Sequence, residues 1–167
     1  MICAFLPRPR YWPGLNPKRF MSDQRPILLA EDNAQDAELI LEAFAEQGCT
    51  RKIHVVRDGA EALDYLHRRA QYATRPAADP RVVLLDVKMP RASGLETLHS
   101  IKSHALLHTI PVVMFTSSRE ENDLLRSYEL GANAYVVKPV DFAELSIAVR
   151  NLGNFWGVSN EPPPRPR

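Results

Sequence analysis

The chain has 167 residues, 45% apolar and 25% charged, with a net charge of +1; this suffices for one domain with its own core. No apolar run approaches the ~20 residues of a membrane span, and two cysteines, Cys3 and Cys49, make neither a disulfide framework nor a metal site. Residues 1–22 hold Arg8, Arg10, Lys18 and Arg19 and no acid, which leaves 23–160 mildly acidic and argues against a nucleic-acid surface on the folded part.

Residues 1–24 read as a disordered extension, with prolines, basic residues and scattered aromatics but no period. Met21 is a candidate true start of translation; a genuine flexible arm is the competing reading. The stretch from Ile2 to Leu6 is cut off by Pro7 and Arg8 and is too short for a signal peptide, so a cytoplasmic location is expected. From Arg25 onward, short apolar runs alternate with amphipathic segments. Ile27–Ala30 predicts a strand and 36–47 a helix; Ile53–Val56 predicts a strand and 59–69 a helix. A surface loop over 71–80 follows, long for such a unit. Val82–Leu85 and 112–115 predict strands, with helices over 93–103 and 120–130, the latter closed by Gly131. Ala134–Val137 predicts the last strand, and Asp141 caps a final helix over 141–155. The near-continuous apolar runs are those of strands buried on both faces. Five βα units in a row predict an α/β fold with a doubly wound parallel sheet of order 2-1-3-4-5. The expected domain is 25–157, followed by a proline-rich arm over 158–167.

The chemistry gathers at the strand ends. Strand one ends in Glu31-Asp32 and strand three in Asp86, neighbours at the switch point where ligands bind in such sheets. Two unit charges about 4 Å apart repel by roughly 4 kcal/mol at an effective dielectric near 20. Three converging carboxylates therefore call for a cation, and oxygen ligands with open positions suit Mg²⁺ or Mn²⁺. Thr116 and Lys138 end strands four and five, offering a hydroxyl and a fixed positive charge at the same rim. With a metal they could neutralise phosphoryl oxygens while Asp86 acts as nucleophile. Each residue alone has a plainer reading. Asp86 could be a cap or a solvated loop charge, Thr116 a cap for the fourth helix, and Lys138 a surface charge. The joint placement on four strand ends carries the specificity.

The set Glu31-Asp32, Asp86-Val87-Lys88-Met89-Pro90, Gly94, Thr116-Ser117 and Lys138-Pro139 resembles the receiver domain of response regulators over about residues 25–156. The resemblance implies that Asp86 accepts a phosphoryl group from a histidine kinase or a phosphotransfer protein. It implies that Asp32, Asp86 and the Lys88 backbone carbonyl bind the metal directly, with Glu31 acting through water. Thr116 and Tyr135 would switch together, Lys138 would hold a phosphoryl oxygen, and the Lys138–Pro139 peptide would be cis. Glu31 replaces the more usual aspartate. Lys88 and Ser118 occupy positions that tune loss of the phosphoryl group, which implies an altered acyl-phosphate lifetime.

Only one helix and the tail follow Pro139, so output is expected through protein contacts, with no DNA-binding module and no catalysis beyond the domain's own phosphorylation and dephosphorylation. A phosphate sink or intermediate phosphotransfer role is the competing reading. The run from Thr116 to Glu121, the long loop before strand three and the Leu152-Gly153-Asn154-Phe155-Trp156 ending resemble single-domain regulators associated with bacterial phytochrome kinases. That likeness implies a phytochrome-type sensor kinase and a homodimer. Leu145, Val149, Leu152 and Trp156 form a stripe on the last helix, and burial of its surplus, especially Phe155 and Trp156, in a homodimer is expected. A haloacid dehalogenase-like phosphohydrolase is disfavoured, because Lys88 stands where that chemistry needs a second carboxylate. No G-x-G-x-x-G signals a dinucleotide site.

Overall fold

The computed structural model describes residues 25–46 and 52–161. Along the chain it alternates β1 (Ile27–Ala30), α1 (Ala34–Glu46), β2 (Ile53–Val56), α2 (Gly59–His67), β3 (Val82–Leu85), α3 (Gly94–Ser103), β4 (Val112–Thr116), α4 (Glu121–Glu129), β5 (Ala134–Val137) and α5 (Phe142–Asn154). The strands pair in parallel in the order β2-β1-β3-β4-β5, the doubly wound sheet expected. The expectations for residues 1–24, including Cys3 and Met21, and those for Cys49 and 162–167 fall outside the described residues. No helix among the described residues is long and apolar enough to cross a membrane.

The period-two geometry of a strand sends alternate side chains to opposite faces, and both faces here are covered. Leu28, Ala30, Val83, Leu85 and Met114 pack with Ala62, Tyr65 and Leu66 of α2 and Leu98 and Ile101 of α3. Ile27, Leu29, Val82, Leu84, Val113 and Phe115 pack with Ile40, Ala43 and Phe44 of α1 and Leu145, Val149 and Leu152 of α5. The inner strands β1, β3 and β4 are buried at every position, whereas β5 at one edge is half-buried throughout.

Several boundaries follow from local chemistry. Helix α1 starts at Ala34, two residues before the expected 36, because the Asn33 side chain accepts from Gln35 N at 2.9 Å and Asp36 N at 3.4 Å. Ser93 and Glu96 form a reciprocal capping box on α3. Asp141 caps α5 as expected, accepting from Glu144 N at 3.0 Å. The 71–80 loop is less open than expected. Ala70–Tyr72 forms a 3-10 turn that buries Tyr72, and the Arg75 guanidinium donates to the carbonyls of Tyr65 (2.7 Å), Leu66 (3.3 Å) and Ala78 (2.8 Å) while lying over the Tyr65 ring.

Two expectations are corrected. Trp156 is not surplus surface. Helix α5 runs on into a π turn, Phe155–Ser159, that rolls the indole under the chain's own α1–α5 core, where it packs with Leu145, Val149 and Leu152. The fully buried Arg81 anchors this turn, donating to Trp156 O at 2.5 Å and to Asn160 O at 2.6 Å. Of the proposed dimer residues only Phe155 stays exposed, at 52%. Second, the Lys138–Pro139 peptide is trans, since no cis bond occurs among the described residues. Proline leaves the two forms within about 0.5–1 kcal/mol, and the trans form already brings Lys138 to its partners.

Candidate functional site

The backbone ladders extend one residue past the strands and fix the site. Glu31 N donates to Val56 O at 3.0 Å, Asp86 N to Ala30 O at 3.1 Å, and Lys138 N to Thr116 O at 2.8 Å. These bonds set Glu31, Asp86, Thr116 and Lys138 side by side at the carboxyl edge of the sheet, all buried, with Asp32 exposed above them. One carboxylate oxygen from each of Glu31, Asp32 and Asp86 lies within 4.8 Å of the others.

Lys138 reaches into this acidic group. Its ammonium donates to Glu31 Oε2, to Asp86 Oδ2 at 3.1 Å and to Asp36 Oδ2 at 3.3 Å. Asp36 was read from the sequence only as a helix residue. Its spacing alone did not mark it; the fold sets it at the start of α1, within reach of Lys138. Burial pushes the Glu31 carboxyl up to about 7; Lys138 opposes the shift, and the neighbouring Asp86 and Asp36 add to it. Burial works against the Lys138 charge, yet Asp86 and Glu31 outweigh it and hold the ammonium above its usual range. The pocket thus already carries one positive charge, and its all-oxygen donor set fits a hard divalent cation.

The remaining site residues sit on the flanking loops. Asp86 Oδ1 accepts from Val87 N at 2.6 Å, which orients the carboxylate. The Thr116 hydroxyl accepts from Ser118 N at 3.2 Å and does not cap α4, which begins at Glu121. Ser118 Oγ donates to Asp123 at 2.6 Å. The Tyr135 hydroxyl donates to Ser118 O at 3.0 Å, joining β5 to the loop that Thr116 begins. The Lys88 ammonium is exposed and pairs with Glu120 at 2.6 Å.

The loop after β3 is tightly seated. Gly94 N donates to Val87 O at 2.9 Å, and a Cβ at Gly94 would meet Asp86 O at 2.0 Å, so only glycine fits. Arg91 stands at φ 61, a left-handed conformation that costs a non-glycine residue on the order of 1 kcal/mol. Its guanidinium grips the buried Asp58, the N-cap of α2. Neither residue was singled out from the sequence, because each is an ordinary loop charge until the two loops meet.

A family model described as the response regulator receiver domain matches residues 27–150. The chain belongs to this family. A probable methanogenesis regulatory protein, FilR2 of Methanothrix harundinacea, is 42% identical over 83% of this chain and 88% of its own length. Response regulator Rcp1 of Synechocystis is 34% identical over 81% of this chain and 94% of its own. The crystal structure of its Mn²⁺-bound form superposes with a TM-score of 0.77 at 33% identity, covering 84% of this chain and 99% of that one. The bacteriophytochrome response regulator AtBRR is 54% identical with a TM-score of 0.68, covering 83% and 99%. The chain therefore contains the receiver domain of a two-component response regulator similar to phytochrome response regulators. Receiver domains work with histidine kinases or phosphotransfer proteins and are not generally enzymes.

Proposed function

We propose that this chain is a single-domain response regulator that accepts a phosphoryl group on Asp86 from a phytochrome-type sensor histidine kinase. The carrying observation is that Glu31, Asp32 and Asp86 bring oxygens within 4.8 Å of one another beside the Lys138 ammonium. A carboxylate oxygen of Asp86 attacks phosphorus in the kinase phosphohistidine. The P–N bond breaks, its electron pair returns to the imidazole, and an acyl phosphate forms. Glu31, Asp32, Asp86 and the Lys88 backbone carbonyl would hold Mg²⁺ or Mn²⁺, which supplies neutralisation of phosphoryl charge when bound. Lys138 keeps one fixed cation beside the nucleophile, and Thr116 offers its hydroxyl to a phosphoryl oxygen as Tyr135 follows the loop inward. Transfer to its own aspartate, and hydrolysis of the acyl phosphate by water with release of inorganic phosphate, are the only catalysis proposed. The kinase type rests on the likeness to AtBRR, a bacteriophytochrome response regulator. Action in the cytoplasm, where a kinase phosphohistidine is available, follows from the same reading.

Signalling would pass through protein contacts, including a homodimer. Phe155 and Ile147, 52% and 48% exposed, lie eight residues apart along α5 and its extension, and a second copy would cover both. Sedimentation that stays monomeric at all concentrations removes the dimer.

Labelled acetyl phosphate and a phosphorylated phytochrome-type kinase, each with Mg²⁺, test the main claim. Hydroxylamine-labile label on the parent and none on Asp86→Asn is expected. Label persisting on Asp86→Asn, or absent from both, overturns it.

A further inference from the structure

Asp58 lies on the β2–α2 loop and touches none of the reacting groups, yet it is 3% exposed and fully engaged. One oxygen accepts from Glu61 N at 2.8 Å and caps α2. The other receives both Nε, at 2.7 Å, and Nη2 of Arg91, a forked charge-assisted pair. Arg91 sits five residues after Asp86, in the middle of the loop that joins the phosphoacceptor to α3. Ala92 N donates back to Pro90 O at 2.7 Å, which closes a three-residue turn about Arg91 at φ 61. Such turns are rare and strained. Next to Asp58, Gly59 N donates to Ala92 O at 3.2 Å, and a Cβ at Gly59 would stand 2.5 Å from that same oxygen.

We infer that Asp58 is a positioning residue of the phosphoacceptor site, which acts through Arg91 to lock the loop carrying Lys88. The inference rests on the proposed function, in which the Lys88 carbonyl is a metal ligand. The loop is tied at its far end by Gly94 on Val87. Between those ties, its path depends on a strained residue that relaxes once its guanidinium is released. Asp58 supplies the buried counter-charge that keeps Arg91 in place, so the carbonyl at Lys88 is held ready before any cation arrives. Preorganised ligands bind a cation more tightly because less order is lost on binding.

The test separates this role from helix capping and from long-range charge. Asparagine caps a helix as well as aspartate does, so Asp58→Asn keeps the bond to Glu61 N and loses only the ionic grip. Glycine adopts φ 61 without a clamp, so Arg91→Gly removes the strain that the grip opposes. Mn²⁺ affinity of the full chain is measured by calorimetry for the parent, each single variant and the double variant. In the parent background Asp58→Asn is expected to weaken Mn²⁺ binding about threefold or more, and in the Arg91→Gly background by about 1.5-fold or less, the non-additivity of a coupled pair. A loss from the missing charge alone would be equal in both backgrounds, and a purely structural cap would leave both affinities unchanged. Either result overturns the lock. A parent that binds no Mn²⁺ overturns the proposed metal site, and the lock with it; a parent that binds while the variants behave additively overturns the lock alone.

Discussion

Lys138 Nζ lies 3.1 Å from Asp86 Oδ2, although the two residues leave β5 and β3 with β4 between them. Both are buried, and the ammonium also meets Glu31 and Asp36. One lysine therefore balances a group of acids that would otherwise repel one another in a region of reduced dielectric.

Removing that charge should expose the dependence. Lys138→Met is expected to lower stability by about 1–3 kcal/mol in chelator, because buried carboxylates lose their partner. Added Mg²⁺ should then raise the melting temperature of the variant more than that of the parent. Thermal melts with and without Mg²⁺ read both effects. Identical melts in chelator would mean that the acids do not need the lysine.

Glu31 makes metal-free stability depend on pH. Its carboxyl is pushed up to about 7 from an ordinary 4.5, mainly by burial. The folded chain thus holds that proton more tightly than the unfolded chain does. The resulting stability is complete below about pH 4.5 and is lost as pH rises to about 7. Relative to Glu31→Gln, the parent should therefore lose stability across this window in chelator. Urea denaturation at several pH values checks the difference, and parallel curves for the two proteins would contradict it.

Gly94→Ala should damage the site from the backbone. Its new Cβ would meet Asp86 O at 2.0 Å, a clash with main chain that no side-chain rotation relieves. A cost of roughly 1–3 kcal/mol is expected for such overpacking, together with slower label uptake from acetyl phosphate. Denaturant midpoints and uptake rates measure the two parts.

Among the described residues Arg81 is the largest fully buried side chain, and it donates to the carbonyls of Trp156 and Asn160. Arg81→Met should cost about 1–3 kcal/mol by stranding those carbonyls and should loosen the turn after α5. In a Trp12→Phe background the emission of Trp156 should shift to the red. Unchanged emission would show that packing alone holds the indole.

The four strand ends that bear Glu31, Asp32, Asp86, Thr116 and Lys138 were legible in the sequence. Alternating apolar runs and amphipathic segments prescribe a doubly wound parallel sheet, and such a sheet delivers strand-end residues to one rim whatever the side chains around them. Local caps such as Asp141 were legible for the same kind of reason, since capping uses neighbours three residues away.

The tertiary structure alone decided which charges meet. Asp36 on Lys138, Asp58 on Arg91 and Arg81 on the carbonyl of Trp156 join residues 102, 33 and 75 positions apart. No period or spacing encodes such pairs, because they depend on how loops and helix ends settle on the sheet. Trp156 illustrates the same limit. Hydrophobic patterning assigns it to an apolar stripe, but the π turn after α5 determines that its own chain covers it, while Phe155 beside it is left to solvent.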